Sequence, residues 1–125
     1  MPTAWAAAWG IVAVTSALAG CASGRIPVRL EVPGQPPAPV SLDYQSSLFG
    51  GTGKLSTVLP GGERFAGDYR LVPKDPDASM QAALSGSRGN LLICRFLLNK
   101  PGIGPSQGGT VRCQLSSGGI LDGQF

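Results

Sequence analysis

Apolar and polar residues alternate along three stretches of the chain. Every second position is apolar in residues 26–32 (IPVRLEV), 40–45 (VSLDYQ) and 65–71 (FAGDYRL), except that a glycine takes one of these positions in the third stretch. Since successive side chains of a strand point to opposite faces, this period of two predicts half-buried strands. Pro27 cannot donate a ladder hydrogen bond, so we expect the first of these strands to pair only at a sheet edge.

A short glycine-containing turn divides the middle of the chain. Residues 54–59 (KLSTVL) run into residues 60–62 (PGG), and residues 63–72 (ERFAGDYRLV) follow, which predicts a β-hairpin. Residues 74–77 (KDPD) close this hairpin. Residues 79–84 fit two structures equally well, a single helical turn or a further strand.

The last third of the chain predicts a strand meander. Residues 90–98 (NLLICRFLL) are apolar on both faces, which is typical of a central strand that is covered on both sides. Two further strands are predicted at residues 110–115 and 120–125, separated by the turn sequence SSGG.

Composition supports an all-β fold. The chain holds 19 Gly and 11 Pro in 125 residues, which disfavours long helices and favours short strands joined by turns. The prediction is a small antiparallel barrel or sandwich of six to seven strands, ending in the C-terminal meander.

Two cysteines lie in the middle of neighbouring predicted strands. If the chain folds back around residues 100–108, Cys94 falls directly opposite Cys113, and Phe96 falls opposite Val111. Directly opposed residues of an antiparallel pair are within reach of a disulfide. We therefore predict a structural disulfide between Cys94 and Cys113. A redox-active pair is the weaker alternative, because such cysteines usually form a C-x-x-C motif.

The N-terminus has the pattern of an export signal. Residues 4–18 (AWAAAWGIVAVTSAL) are apolar and uncharged, and small residues follow them. The tetrapeptide Leu18-Ala19-Gly20-Cys21 resembles the lipobox of bacterial lipoproteins. The resemblance implies that residues 1–20 are a signal peptide, that cleavage precedes Cys21, and that acyl chains such as palmitate on Cys21 hold the protein on a membrane. The alternative is a membrane or core helix in which Cys21 is an ordinary apolar residue.

The same resemblance sets the expected organisation and location. Ala22 after the cysteine implies the outer membrane, on its periplasmic face. Residues 33–39 (PGQPPAP) contain four prolines and predict an extended spacer. We expect residues 21–39 to form a lipidated N-terminus with an edge strand and a Pro-rich tether, and residues 40–125 to form the β domain.

Several chemistries are excluded or disfavoured by the residues present. The chain has no histidine, which rules out a Ser-His-Asp triad and histidine-based zinc sites. A net charge of +3, carried by basic residues that stand singly, gives no nucleic-acid-binding signature. We predict no catalytic residue, no metal site and no cofactor.

Two functions stay open. Residues 62–69 (GERFAGDY) and the C-terminal segment resemble the β-rich bodies of small proteobacterial envelope lipoproteins. The first hypothesis is a non-catalytic accessory or binding module, whose partners are the membrane and another envelope protein, working through a β surface or edge with Phe49, Phe65 or Tyr69 in an exposed patch. The alternative is a cell-wall or carbohydrate hydrolase that uses a pair of carboxylates.

Overall fold

Eight antiparallel strands form one closed barrel in the computed structural model, which describes residues 23–47, 51–72, 74–75 and 78–125. Each strand pairs with the next along the chain, and the first strand pairs with the last to close the barrel. A 3-10 helix, Pro105–Gln107, lies in the connection between the sixth and seventh strands. The strands are β1 (Ser23–Glu31), β2 (Ala38–Ser46), β3 (Thr52–Val58), β4 (Arg64–Leu71), β5 (Met80–Gly86), β6 (Leu91–Leu98), β7 (Gly109–Leu115) and β8 (Gly119–Gln124).

The predicted fold class is confirmed, with one correction to the strand count. The fold is an all-β antiparallel barrel, but it has eight strands rather than six or seven. The segment that fitted a helical turn or a strand forms β5, whose residues alternate between the barrel interior and the outer surface. The predicted hairpin at residues 54–72 forms β3 and β4.

The expected edge strand and Pro-rich tether are wrong. β1 pairs with β2 along nearly its whole length and with β8 over Arg29–Glu31, so it is part of the barrel wall. Ile26, Val28 and Leu30 bury their side chains inside, and this burial outweighs the missing donor of Pro27. The pairing between β1 and β8 nevertheless ends at Arg29 and does not reach Pro27. The proline-rich residues 33–37 form the turn from β1 to β2, so the boundary predicted at residue 39 divides one domain.

The inward side chains fill the barrel. An eight-stranded barrel is just wide enough for its own side chains to occupy the interior. The largest fully buried side chains are Phe65, Phe96, Ile26, Leu42, Leu55, Met80, Leu84, Leu92 and Leu121.

Three inward aromatic rings lie over glycines of the neighbouring strand. The pairs are Tyr44 with Gly24, Tyr69 with Gly53, and Phe65 with Gly86. A Cβ on Gly24 would lie 2.7 Å from the Tyr44 hydroxyl oxygen, and one on Gly53 would overlap the Tyr69 ring. The glycines thus provide the space that these rings occupy.

The predicted disulfide and its register are confirmed. Cys94 and Cys113 are directly opposed on β6 and β7, with their Cα atoms 4.0 Å apart and their sulfurs bonded. Phe96 lies opposite Val111, as the same register requires. Both cysteines are fully buried, so the bridge is part of the barrel core.

Candidate functional site

β6 is apolar on both of its faces, but only the inner face is covered. Leu92, Cys94, Phe96 and Leu98 point into the barrel. The outward Leu91, Ile93 and Leu97 keep 47%, 44% and 53% of their surface exposed. The expectation that β6 is covered on both sides is therefore wrong, because a closed barrel of one sheet has no second layer over its outer wall. We call the outward residues Leu91, Ile93, Arg95 and Leu97 the β6 face.

Arg95 lies at the centre of this face, in a row of arginines that runs across several strands. It is opposite Arg112 on β7 and opposite Gln81 on β5, and Gln81 is in turn opposite Arg70 on β4. On the other side, Arg112 is opposite Asp122 of β8. The sheet register thus gathers arginines that are far apart in the sequence.

The arginines of this row have no carboxylate partner within 4.0 Å among the residues that the structure describes. Among the described residues, the ion pairs are Arg25 with Asp43, on β1 and β2, and Lys54 with Asp68, on β3 and β4. Like charges that are directly opposite each other in a sheet destabilise it. The opposed Arg95 and Arg112 therefore lower the stability of the fold, and a bound anion would offset this loss.

Two shallow grooves run along either side of β6, and Arg95 borders both. The groove over β4 and β5, of about 470 Å³, includes Arg70, Ala83 and Ile93 in its lining. The groove over β7 and β8, of about 540 Å³, includes Leu97 and Arg112. Each groove also holds one carboxylate, Asp68 in the first and Asp122 in the second, but arginines outnumber carboxylates in both. Such grooves suit a partner that is itself partly apolar and partly anionic.

A buried carboxylate lies at one end of the barrel, where the β3–β4 and β5–β6 turns meet. Glu63 Oε2 accepts hydrogen bonds from the backbone N–H groups of Arg88 at 2.9 Å and Asn90 at 3.3 Å. Its Oε1 accepts one from Asn90 Nδ2 at 2.7 Å. These bonds, the Asn90 side chain first, lower the pKa of Glu63 below its ordinary value although burial opposes the shift. The carboxylate ties two turns together and is not placed to act as a general acid.

Four further carboxylates stand on the outer wall: Glu31, Asp43, Asp68 and Asp122. Glu31 and Asp122 border one open groove together with Arg29. They are diagonal neighbours on β1 and β8, since Arg29 is opposite Asp122 and Glu31 is opposite Ile120. A glycosidase acid needs an enclosed site that raises its pKa, and this groove is open to water.

The predicted aromatic patch is wrong where the structure describes it. Phe65 and Tyr69 are 1% and 3% exposed, because both fill the barrel interior over glycines. Tyr69 donates its hydroxyl hydrogen bond to Ser46 Oγ at 3.1 Å. Burial, and secondly the neighbouring Tyr69, raises the pKa of Tyr44. Phe49 and the lipidation residue Cys21 lie outside the described residues.

Within residues 23–47, 51–72, 74–75 and 78–125, no group of three or more His, Cys, Asp or Glu side chains is arranged to hold a metal ion. In the same residues no helix is both long and apolar enough to span a membrane.

The chain matches no protein-family model, no curated protein and no solved structure at a significant level.

Sequence reasoning missed the β6 face for two reasons. The two-sided apolar pattern of residues 90–98 was visible, but in a barrel it means an exposed outer side rather than a covering layer. The arginine row was not visible, because Arg70, Arg95 and Arg112 stand singly in the sequence and come together only through the strand register.

Proposed function

We propose that the protein is a non-catalytic binding module of the bacterial cell envelope, anchored by lipid on Cys21, and that the β6 face is its binding surface. The observation that carries the binding part is the composition of this face. Three of the five exposed large apolar side chains of the described residues, Leu91, Ile93 and Leu97, project from this one strand around an unpaired arginine. Apolar residues with arginine are typical of interface centres.

The closed fold favours a side-chain surface over a strand edge. A free edge can bind a partner by adding a strand, but pairing between β1 and β8 joins the two terminal strands of this sheet. The sequence-based hypothesis left a β surface and a β edge open. The closed barrel supports a β surface, rather than a β edge, as the place where a partner binds.

The lipid anchor is supported by the lipobox resemblance and by the short segment between Cys21 and the barrel. β1 begins at Ser23, two residues after Cys21. Two residues span at most about 7 Å, so a lipid on Cys21 would hold the barrel end where β1 begins close to the membrane surface. The periplasmic face of the outer membrane is the proposed location, and a second envelope protein is the proposed partner.

Site-specific photo-cross-linking in intact cells tests the binding surface. A photoreactive amino acid replaces Leu97 on the β6 face in one strain and Val58, which is 57% exposed on β3, in a matched control strain. We expect a discrete adduct from position 97 and none from position 58. The adduct should weaken when Ile93→Thr is added, because the partner loses an apolar contact. Equal adducts from both positions, or an adduct from position 58 alone, would refute the β6 face as the binding surface.

A further inference from the structure

We propose that Arg95 and Arg112 together bind a carboxylate of the partner, and that the partner is a protein segment with apolar side chains on both sides of that acidic residue. This inference rests on the proposed function and adds the chemistry of the partner. Arg95 and Arg112 are direct cross-strand neighbours on the outer wall, and neither forms an ion pair within the described part of the chain. Two guanidinium groups so placed can donate several hydrogen bonds to one carboxylate.

The aliphatic neighbours of Arg95 define what must flank the acid. Ile93, Arg95 and Leu97 occupy alternate positions of one strand, so they point the same way at intervals of about 6.6 Å. An extended partner segment has the same interval between its own alternate residues. The sequence apolar–x–acidic–x–apolar would therefore meet all three side chains at once.

Asp122 limits the site on one side. It lies opposite Arg112 in the β7–β8 register without an ion pair to it within 4.0 Å, so the Arg112 guanidinium keeps its capacity to bind an anion. Its negative charge nevertheless weakens the attraction for small free anions. Apolar contacts with Ile93 and Leu97 are thus needed to supply affinity, which favours an amphipathic segment.

A second copy of the chain does not fit this face. A symmetric dimer places the same patch on both partners, so one interface would contain the arginines of both β6 faces. Like charges across an interface oppose association. The face therefore calls for a partner of opposite charge.

An anionic membrane is the other surface of suitable charge, and its distance argues against it. Arg112 lies three residues from Gly109, where β7 begins at the same barrel end as β1. Three strand residues correspond to about 10 Å along the strand, and to about 8 Å along the axis of a barrel whose strands tilt by about 40°. That is about one screening length at physiological ionic strength, so lipid headgroups below the barrel attract this pair less than a carboxylate in direct contact with it does.

The test is an NMR titration of the full chain, purified from membranes in an uncharged detergent, with the peptide probe VTDTL. This peptide carries Val, Asp and Leu on one face when it is extended. We expect shift changes at residues 93–97 and 110–112, and none with VTKTL, in which Lys replaces Asp. The double variant Arg95→Gln with Arg112→Gln should weaken binding about tenfold or more. The matched control Arg64→Gln removes an exposed, unpaired arginine elsewhere on the outer wall and should leave binding unchanged.

Each result decides the proposal. No shifts with VTDTL, or equal loss in the double variant and in Arg64→Gln, would overturn it. Binding to phosphatidylglycerol vesicles but not to VTDTL, abolished in the double variant, would overturn it in favour of a membrane surface. If VTDTL does not bind but position 97 still forms an adduct in cells, only the proposal of an acidic partner segment is refuted. If position 97 forms no adduct in cells, the proposed function itself is refuted.

Discussion

Cys94 and Cys113 are directly opposed inside the barrel, one residue pair away from Arg95 and Arg112, which are directly opposed outside it. Because side chains alternate between the two faces of a strand, the disulfide and the arginine pair belong to one register. A slip of β6 against β7 by one residue would separate both pairs. The internal bridge therefore fixes the geometry of the candidate binding surface.

Removal of the disulfide should destabilise the barrel substantially. The bridge joins residues 19 apart, and closing a loop of this size contributes about 3 kcal/mol in the chain-entropy model. The double variant Cys94→Ala with Cys113→Ala should lose about that much of the free energy of unfolding, measured by urea denaturation without reductant. Reduction of the wild-type protein should produce a similar loss. An unchanged unfolding midpoint in both experiments would show that the bridge contributes little.

Replacing one arginine of the opposed pair should stabilise the fold. Arg95→Gln removes the repulsion from Arg112, and its other cross-strand neighbour is the neutral Gln81, so it should raise the free energy of unfolding by a few tenths of a kcal/mol, up to about 1 kcal/mol. The gain should shrink at high salt, because the two charges face water. Arg64→Gln serves as the control and should change the unfolding free energy little in either buffer. A loss of stability in Arg95→Gln would mean that its side chain has an attractive partner.

The stability of the fold should depend on pH through the ionisation of Glu63. Its pKa is lowered in the folded protein, mainly by the Asn90 side chain, so its contribution is fully present above the unfolded pKa and is lost as pH falls through the folded value. The Glu63→Gln variant has fewer acceptor sites for the three N–H donors of Arg88 and Asn90. It should therefore melt at a lower temperature than wild type at pH 7. The difference should close in strongly acidic buffer. Glu31→Gln, at an exposed carboxylate on β1, is the control. If the loss of melting temperature in Glu63→Gln did not change with pH, the ionised Glu63 carboxylate would not be what joins the two turns.

The glycines beneath the inward rings should resist even the smallest side chain. Gly53→Ala would force a Cβ into the ring of Tyr69, and overpacking of this kind costs about 1–3 kcal/mol of unfolding free energy. Gly102→Ala is the control, since no atom lies within 4 Å of its added Cβ. Urea denaturation measures both. Gly53→Ala should cost less in a Tyr69→Val background than in wild type, because the clashing ring is gone. Equal stability of the two alanine variants would rule out this account of Gly53.

The sequence predicted the elements better than their arrangement. Alternation identified the strands, and the cysteine spacing identified the β6–β7 register, because both depend on local geometry. The assignment of residues 33–39 to a tether was wrong because prolines are equally suited to an exposed turn, and only the pairing of β1 with β8 distinguishes the two. Tyr69 was placed in an exposed patch because its match to Gly53 needs the β3–β4 register.

The central claim is that this barrel is an exported module held on a membrane at Cys21, and intact-mass spectrometry of the protein extracted from membranes tests it most directly. We expect a mass that begins at Cys21 and includes acyl chains, and a gain of two hydrogen atoms on reduction of the Cys94–Cys113 bridge. An unmodified mass that includes residues 1–20 would contradict the lipid anchor.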